Sequence, residues 1–307
     1  MAVTAAMIKE LRETSGAGMV DCKNALTETG GDMEKAIEFL REKGLAAAAK
    51  KAGRIASEGL VHTYITQDGS TAVVVEVNSE TDFVAKNAEF KAYVEQVALQ
   101  ATITATHDLE ELLQDKWHVD KNITVKEALS QKIAVIGENL NIRRFAKFER
   151  RDNGIMVSYI HGGGRVAVLL EMISEKSTDA VVEAGKNICM QIAAMSPRFV
   201  SRDEISDEFI EKEKEILTQQ AINEGKPANI AEKMVQGRLN KELKEMCLND
   251  QEYVKDGDLT VAKYLENVGK EVGCPVCVAR FVRYETGEGL EKKEENFAEE
   301  VNKAMGK

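Results

Sequence analysis

The side chains best suited to chemistry in this 307-residue chain are few and scattered. Cys274-Pro275-Val276-Cys277 has the spacing of a redox dithiol or of half a zinc site. A zinc site needs a second pair, whereas Cys22, Cys189 and Cys247 stand apart in the sequence. Two small buried side chains at the entry to a strand is therefore the favoured reading, with a redox switch or a chance metal site as the alternatives. His161-Gly162-Gly163-Gly164 has the composition of an esterase oxyanion loop, but no G-x-S-x-G nucleophile elbow accompanies it. No helical pattern follows it, so it is no phosphate cradle. It reads as a hairpin turn, with His161 as a candidate exposed contact. His62, His107, His118 and His161 form no i, i+4 pair or metal spacing, and no phosphate-binding glycine motif is present. Carboxylates lie on charged helical faces. The expectation is a chain with no catalytic centre and no cofactor.

Thr81-Asp82-Phe83-Val84 is a different kind of candidate. It follows the β-branched run "VVVEVNSE", where a chain leaving a sheet for a helix ordinarily places capping residues. Aromatic residues make up only 5% of the chain, so a ring at such a junction is informative. Asp82 as an N-cap with Phe83 stapled to the sheet is one explanation. A carboxylate and a ring projected toward a partner is the other.

An internal duplication decides between them. At a shift of 95 residues, "GLVHTYITQDGSTAVVVEVNSE" (59–80) lies on "GIMVSYIHGGGRVAVLLEMISE" (154–175), with Gly59/Gly154, Tyr64/Tyr159, Glu76/Glu171 and Ser79/Ser174 identical. Further along, "ITVKEAL" (123–129) lies on "LTVAKYL" (259–265) and "RFAKFE" (144–149) on "RFVRYE" (280–285), both at a shift of 136 residues. At the first shift Asp82 and Phe83 fall on Ser177 and Thr178, ordinary helix-start residues. The fold does not need an acid and a ring at this point, so the first copy is expected to use them for a task of its own.

Each copy must supply the elements that hold such a tip. Val61–Thr66 and Ser70–Val77 are alternating runs joined by a glycine turn, which predicts a hairpin. Val84–Leu99 has helical spacing, Val125–Ile136 predicts a second helix and Ile142–Phe148 a third strand. The class is α+β, a small antiparallel sheet backed by helices, made twice. The second copy carries an insertion, about 203–250, with a breaker at Gly225-Lys226-Pro227 and apolar stripes through Ile205, Phe209, Ile216, Ile230, Met234 and Leu243. It predicts an antiparallel helical hairpin, either a solvated arm or a surface for contact or homodimerisation. Residues 1–55 read as three short helices and a linker. Asp32 is expected to cap the third helix and Gly44 to stop it, and the unit has the look of a docking module. The divisions are 1–55, 56–150 and 151–307, the last holding the insertion and a C-terminal module.

The net charge of −11 and pI of about 5.1 exclude a generic nucleic-acid binder and favour a protein partner. No apolar run approaches the ~18 residues of a membrane span. "MAVTAAMIKELRE" resembles neither a signal nor a transit peptide. Five cysteines, an odd number, suit a reducing compartment, so a cytoplasmic protein is expected.

"LRETSGAGMVDCKNAL", "NSETDFVAKN", "IGENLNIRR" and "EKMVQGRLNKE" together resemble the bacterial elongation factor Ts family over nearly the whole chain. That resemblance implies a ubiquitin-associated-like N-terminal domain, a duplicated core and a helical insertion. It implies an exchange factor that binds elongation factor Tu, GDP-bound and nucleotide-free, and promotes GDP release without covalent chemistry. By the same likeness Thr81, Asp82, Phe83 and Val84 disturb the partner's magnesium site, while Met19, Val20, Lys23, Ile136, Gly137 and His161 touch the partner. The Cys-Pro-Val-Cys element is not part of the likeness. A non-exchange adaptor and a thiol enzyme are the other classes considered.

Overall fold

Side-chain caps start the first and third helices of the computed structural model, which describes residues 3–225 and 228–291, the side chains of 228–232 excepted. Thr4 and Asp32 accept from the N–H groups of Met7 and Lys35 at the starts of α1 (Ala5–Ser15) and α3 (Met33–Lys51); α2 (Met19–Glu28) lies between them. Leu11, Cys22, Ala25, Leu26 and Ala36 form their shared core. Asp32 is the expected cap, but Gly44 does not stop the helix. α3 runs on to Lys51, into the expected linker, and Gly44 lies buried against the backbone of a later helix, with Ser130 O 3.7 Å from where a Cβ would stand. It sits at ordinary contact distance inside a packed helix and does not reverse the chain.

The first sheet orders β1 (Glu58–Ile65), β2 (Thr71–Ser79) and β3 (Leu140–Glu149), all antiparallel. Successive side chains of β2 point to opposite faces. Val73, Val75 and Val77 pack on Phe90, Tyr93, Val94 and Val97 of a covering helix, while Ala72 and Val74 face the second sheet. Between β2 and β3 lie α4 (Asp82–Lys86), α5 (Ala88–Ile103), α6 (Leu109–Gln114) and α7 (Val125–Ile136). The expected single helix from Val84 is thus broken. Asn87 is extended (φ −68°, ψ 132°), and its side chain accepts from the N–H groups of Glu89 and Phe90 to start α5 afresh.

The second sheet repeats the first: β4 (Gly154–His161), β5 (Val166–Ile173), then α8 (Asp179–Met195), the arm α9 (Asp207–Asn223) and α10 (Ala228–Met246), the small ribbon β6 (Glu252–Tyr253) and β7 (Asp256–Thr260), α11 (Val261–Val272), and β8 (Cys277–Glu285) pairing with β5. Even the bulge is duplicated, between Glu76 and Val77 in one copy and Glu171 and Met172 in the other. The identical Gly59/Gly154 pair is a matter of space, since a Cβ would stand 2.2 Å from Val77 O in one and 2.6 Å from Glu171 Oε1 in the other.

The sheets meet face to face through Val61, Val74, Phe148, Ala167 and Leu169. Reciprocal stacking ties the copies. Arg144 lies 4.1 Å from the ring centroid of Tyr284, and Arg280 lies 4.1 Å from that of Phe148. These same arginines reach the buried carboxylates Glu76 and Glu171 of their own copies.

In the arm, Leu217, Ala221, Val235, Leu239 and Leu243 face inward with Ile205 and Cys247. Ile216, expected on the inner stripe, is 44% exposed, because the inward row runs through its neighbour Leu217. The Ile230 side chain, Lys226, Pro227 and residues 292–307 of the expected C-terminal module lie outside the described residues.

Candidate partner-docking site

The tip after β2 is built from its capping residues outward. Thr81, not Asp82, is the N-cap of α4, its side chain accepting from the Val84 N–H. Ser79 Oγ donates to Thr81 O at 3.0 Å, which holds the turn from the strand side. Val84 and Ala85 root α4 in the first core. Phe83, pointing the other way, is 79% exposed. It is not stapled to the sheet. Leaving a phenyl ring in water forgoes about 1.5–3 kcal/mol of burial. Asp82 pairs with Lys86 one turn later, Nζ to Oδ2 at 2.6 Å, and the same ammonium stands 5.9 Å from the Phe83 ring centroid. The hydrogen bond from Lys86 holds the Asp82 carboxyl below its ordinary range. The tip therefore offers a ring flanked by an exposed ion pair, rather than a lone carboxylate.

Ile136 and Gly137 adjoin this tip. Ile136 ends α7 half-buried against the first core, and Gly137 (φ 86°) caps the helix in the left-handed conformation. The next residue turns back on the tip. Glu138 Oε2 accepts from the N–H groups of Glu80 and Thr81, each at 3.1 Å, and Oε1 accepts from Thr81 Oγ at 2.6 Å. In return Glu80 Oε1 accepts from the Asn139 N–H at 2.5 Å and from Arg54 Nη1 at 3.4 Å.

The other expected contacts stand on separate elements. Met19 and Val20, 60% and 71% exposed, and exposed Lys23 lie in the first half of α2. His161 closes β4 in the open, with its Nδ1 3.0 Å from the Tyr159 hydroxyl. The glycine turn after it is a hairpin turn, and Gly164 O accepts from the Val61 N–H of the first sheet. Lys86, Asn87 and Glu138 belong to the site without having been singled out in the sequence. Lys86 had a signal, an i, i+4 partner in Asp82. Cys274 is buried and touches Ser174 Oγ at 3.3 Å, but Cys277 is exposed, so only the first cysteine is the expected buried filler.

The second copy lacks the prong. Thr178, the counterpart of Phe83, caps α8 by accepting from the Val181 N–H, and the helix runs unbroken from there. Among the described residues no cluster of three or more His, Cys, Asp or Glu side chains could hold a metal ion. What sets the first copy apart is an exposed ring beside an ion pair.

The model of the family described as Elongation factor TS matches residues 80–288, more than half of the chain. Elongation factor Ts of Clostridium novyi (strain NT) is 57% identical over 303 residues, covering 99% of each chain. That of Clostridium botulinum (strain Eklund 17B / Type B) is 55% identical over 305 residues, 99% of this chain and 100% of the relative. The chain belongs to the elongation factor Ts family. Its role is accordingly in translation elongation, during protein biosynthesis. No helix among the described residues is long and apolar enough to cross a membrane.

Proposed function

We propose that this elongation factor Ts binds elongation factor Tu, GDP-bound and nucleotide-free, and speeds GDP release by pressing the Thr81–Val84 tip against the partner near its Mg²⁺ and nucleotide. The observation that carries the reading is Phe83, 79% exposed on a turn hydrogen-bonded from two sides. A ring so held can wedge between side chains of a partner without first being ordered, which keeps the entropic cost of insertion low. Mg²⁺ retains a nucleotide by bridging phosphate oxygens, so displacing its surroundings weakens GDP binding. Asp82, kept ionised by Lys86, brings its charge to the same place. The chain acts without covalent catalysis. Coupling is reciprocal: whatever factor the protein takes from GDP affinity, nucleotide takes from the affinity for this protein, so incoming nucleotide expels it.

Ile136 and Gly137 beside the tip, His161 on the second copy, and Met19, Val20 and Lys23 on α2 complete the proposed contact surface. The proposal assigns docking to residues 1–55, the exchange tip to 56–150, and a second platform with its arm to 151–307. A cytoplasmic site of action goes with it. Self-association through the arm belongs to the same proposal, on the strength of Ile216 and Ile222, 44% and 55% exposed.

Phe83→Ala tests the reading. The variant folds as the parent does, since a surface side chain is removed, and it slows stimulated release of labelled GDP from elongation factor Tu by about tenfold or more. Wild-type release rates would defeat the proposal.

A further inference from the structure

Five polar residues from three parts of the chain converge behind the exchange tip. Glu138 takes the backbone N–H groups of Glu80 and Thr81 and the Thr81 hydroxyl. Glu80 takes the backbone N–H of Asn139 and the guanidinium of Arg54. Asn139 Nδ2 donates to Arg54 O at 2.8 Å. Each carboxylate thus holds the backbone of the segment that carries the other. Arg54 adds the connector that leads from α3 into β1.

The duplication supplies an internal control. At the shift of 136 residues Glu138 falls on Cys274, which meets Ser174 Oγ at 3.3 Å and has no carboxylate to reach a backbone N–H. Ser174 Oγ donates to Lys176 O at 3.0 Å, as Ser79 Oγ does to Thr81 O. The strand-side bond is therefore common to both copies, and the carboxylate bond occurs only where the ring projects. Sheet, bulge and the serine turn form without it, so the fold does not need Glu138. The prong is where it is spent.

We infer that Glu138 is the positioning residue of the exchange tip: through the Glu80–Glu138 exchange of hydrogen bonds it locks Phe83 and the Ile136–Gly137 turn into one rigid contact unit. The inference rests on the reading of Phe83 given above. A carboxylate accepting backbone N–H bonds makes charge-assisted contacts, stronger than neutral ones. Glu138 is itself only partly buried, and its three donors belong to consecutive backbone and side-chain groups of the tip. Without it, Glu80 and Thr81 lose their N–H partners, and the turn samples other orientations before each encounter. The cost should then fall on the productive step more than on docking as a whole, since the other contacts are untouched.

The test uses the full chain as wild type, Glu138→Ala, Glu138→Gln, Phe83→Ala and the Phe83→Ala/Glu138→Ala double variant. Stimulated GDP release at saturating factor and affinity for nucleotide-free elongation factor Tu are measured for each. Amide hydrogen exchange at Thr81 reads the clamp without the partner, and exchange at Val74 in β2 controls for loss of fold. Glu138→Ala is expected to lower maximal release about tenfold while affinity changes about twofold or less. Thr81 exchange accelerates and Val74 exchange does not. Glu138→Gln restores release, because its carbonyl still accepts the two N–H bonds and its amide donates to Thr81 Oγ. In the Phe83→Ala background Glu138→Ala adds little. Normal release in Glu138→Ala beside impaired Phe83→Ala overturns this inference alone, as does a loss that multiplies in the double variant. Normal release in Phe83→Ala overturns the reading of the ring, and this inference with it.

Discussion

Replacing Gly44 by alanine gives opposite signs for the two accounts of this residue. If Gly44 ended its helix in the left-handed conformation, a Cβ would cost about 1–2 kcal/mol. In the structure it lies inside α3 with its face against α7, and an added Cβ would meet Ser130 O at 3.7 Å and Ala134 Cβ and Gln131 Cα at 3.8 Å. These are ordinary contact distances, so one methyl fits without displacing backbone. Helix propensity favours Ala over Gly by about 0.8–1.0 kcal/mol. Burying the methyl adds about 0.8 kcal/mol. The expected gain is about 1.7 kcal/mol, or about 3–7 °C for a cooperative unit of roughly 150–250 residues, followed by calorimetry. Gly44→Leu is the companion: its branched side chain cannot fit at 3.7 Å from a backbone oxygen, so it should prise α3 from α7. That moves Met19, Val20 and Lys23 relative to the tip and weakens binding to elongation factor Tu, while Gly44→Ala binds normally. A melting temperature lowered by alanine would refute the packing argument outright.

The tip and the sheet beneath it set three further outcomes. Thr81→Val removes both the α4 cap and a donor to Glu138, and costs about 1 kcal/mol, read as faster amide exchange at Val84; Asp82→Asn leaves that exchange unchanged because Asp82 does not cap. The Asp82 folded pKa is lowered, so its pairing with Lys86 is complete above the ordinary value of 3.8 and lost as pH falls through the lowered one. Asp82 therefore contributes no pH dependence to stimulated release from about pH 5 to 8, and its carboxyl resonance should titrate below 3.8. Glu76→Ala strips a fully buried carboxylate from Arg143, Arg144, Asn78 and the Gly287 N–H. Since both arginines retain some solvent, the low end of the range for broken buried pairs applies, about 3 kcal/mol by urea denaturation. A loss under about 1 kcal/mol would show the pair to be dispensable.

What could be read without coordinates was whatever rests on short-range pattern or on repetition. Val125–Ile136 forms a helix with the expected bounds, since Thr124 and Gly137 are local start and stop signals. The arm is legible as two helices, yet the expected stripe takes in Ile216, because a charged helix with sparse apolar residues fixes the stripe only to within one position. Gly44 misled for a related reason: a glycine late in a helical run looks the same whether it ends the helix or admits a neighbour. The partner that decides, α7, lies some eighty residues on in the chain, roughly a domain's length away.

The functional tip shows the same division more sharply. Phe83 was visible because the molecule carries its own comparison, and Thr178 occupies the matching place as a plain cap. Glu138 went unremarked although the same comparison sets it against Cys274, because a glutamate after a helix has no local pattern to betray a partner 57 residues earlier. Only the folded chain joins "NSETDFV" to "IGENLN", two of the segments on which the family likeness rests. If the clamp is what joins them, the likeness is itself a physical statement. These segments are one unit, and altering either should disturb the other's contact with the partner even where no side chain that touches the partner has changed.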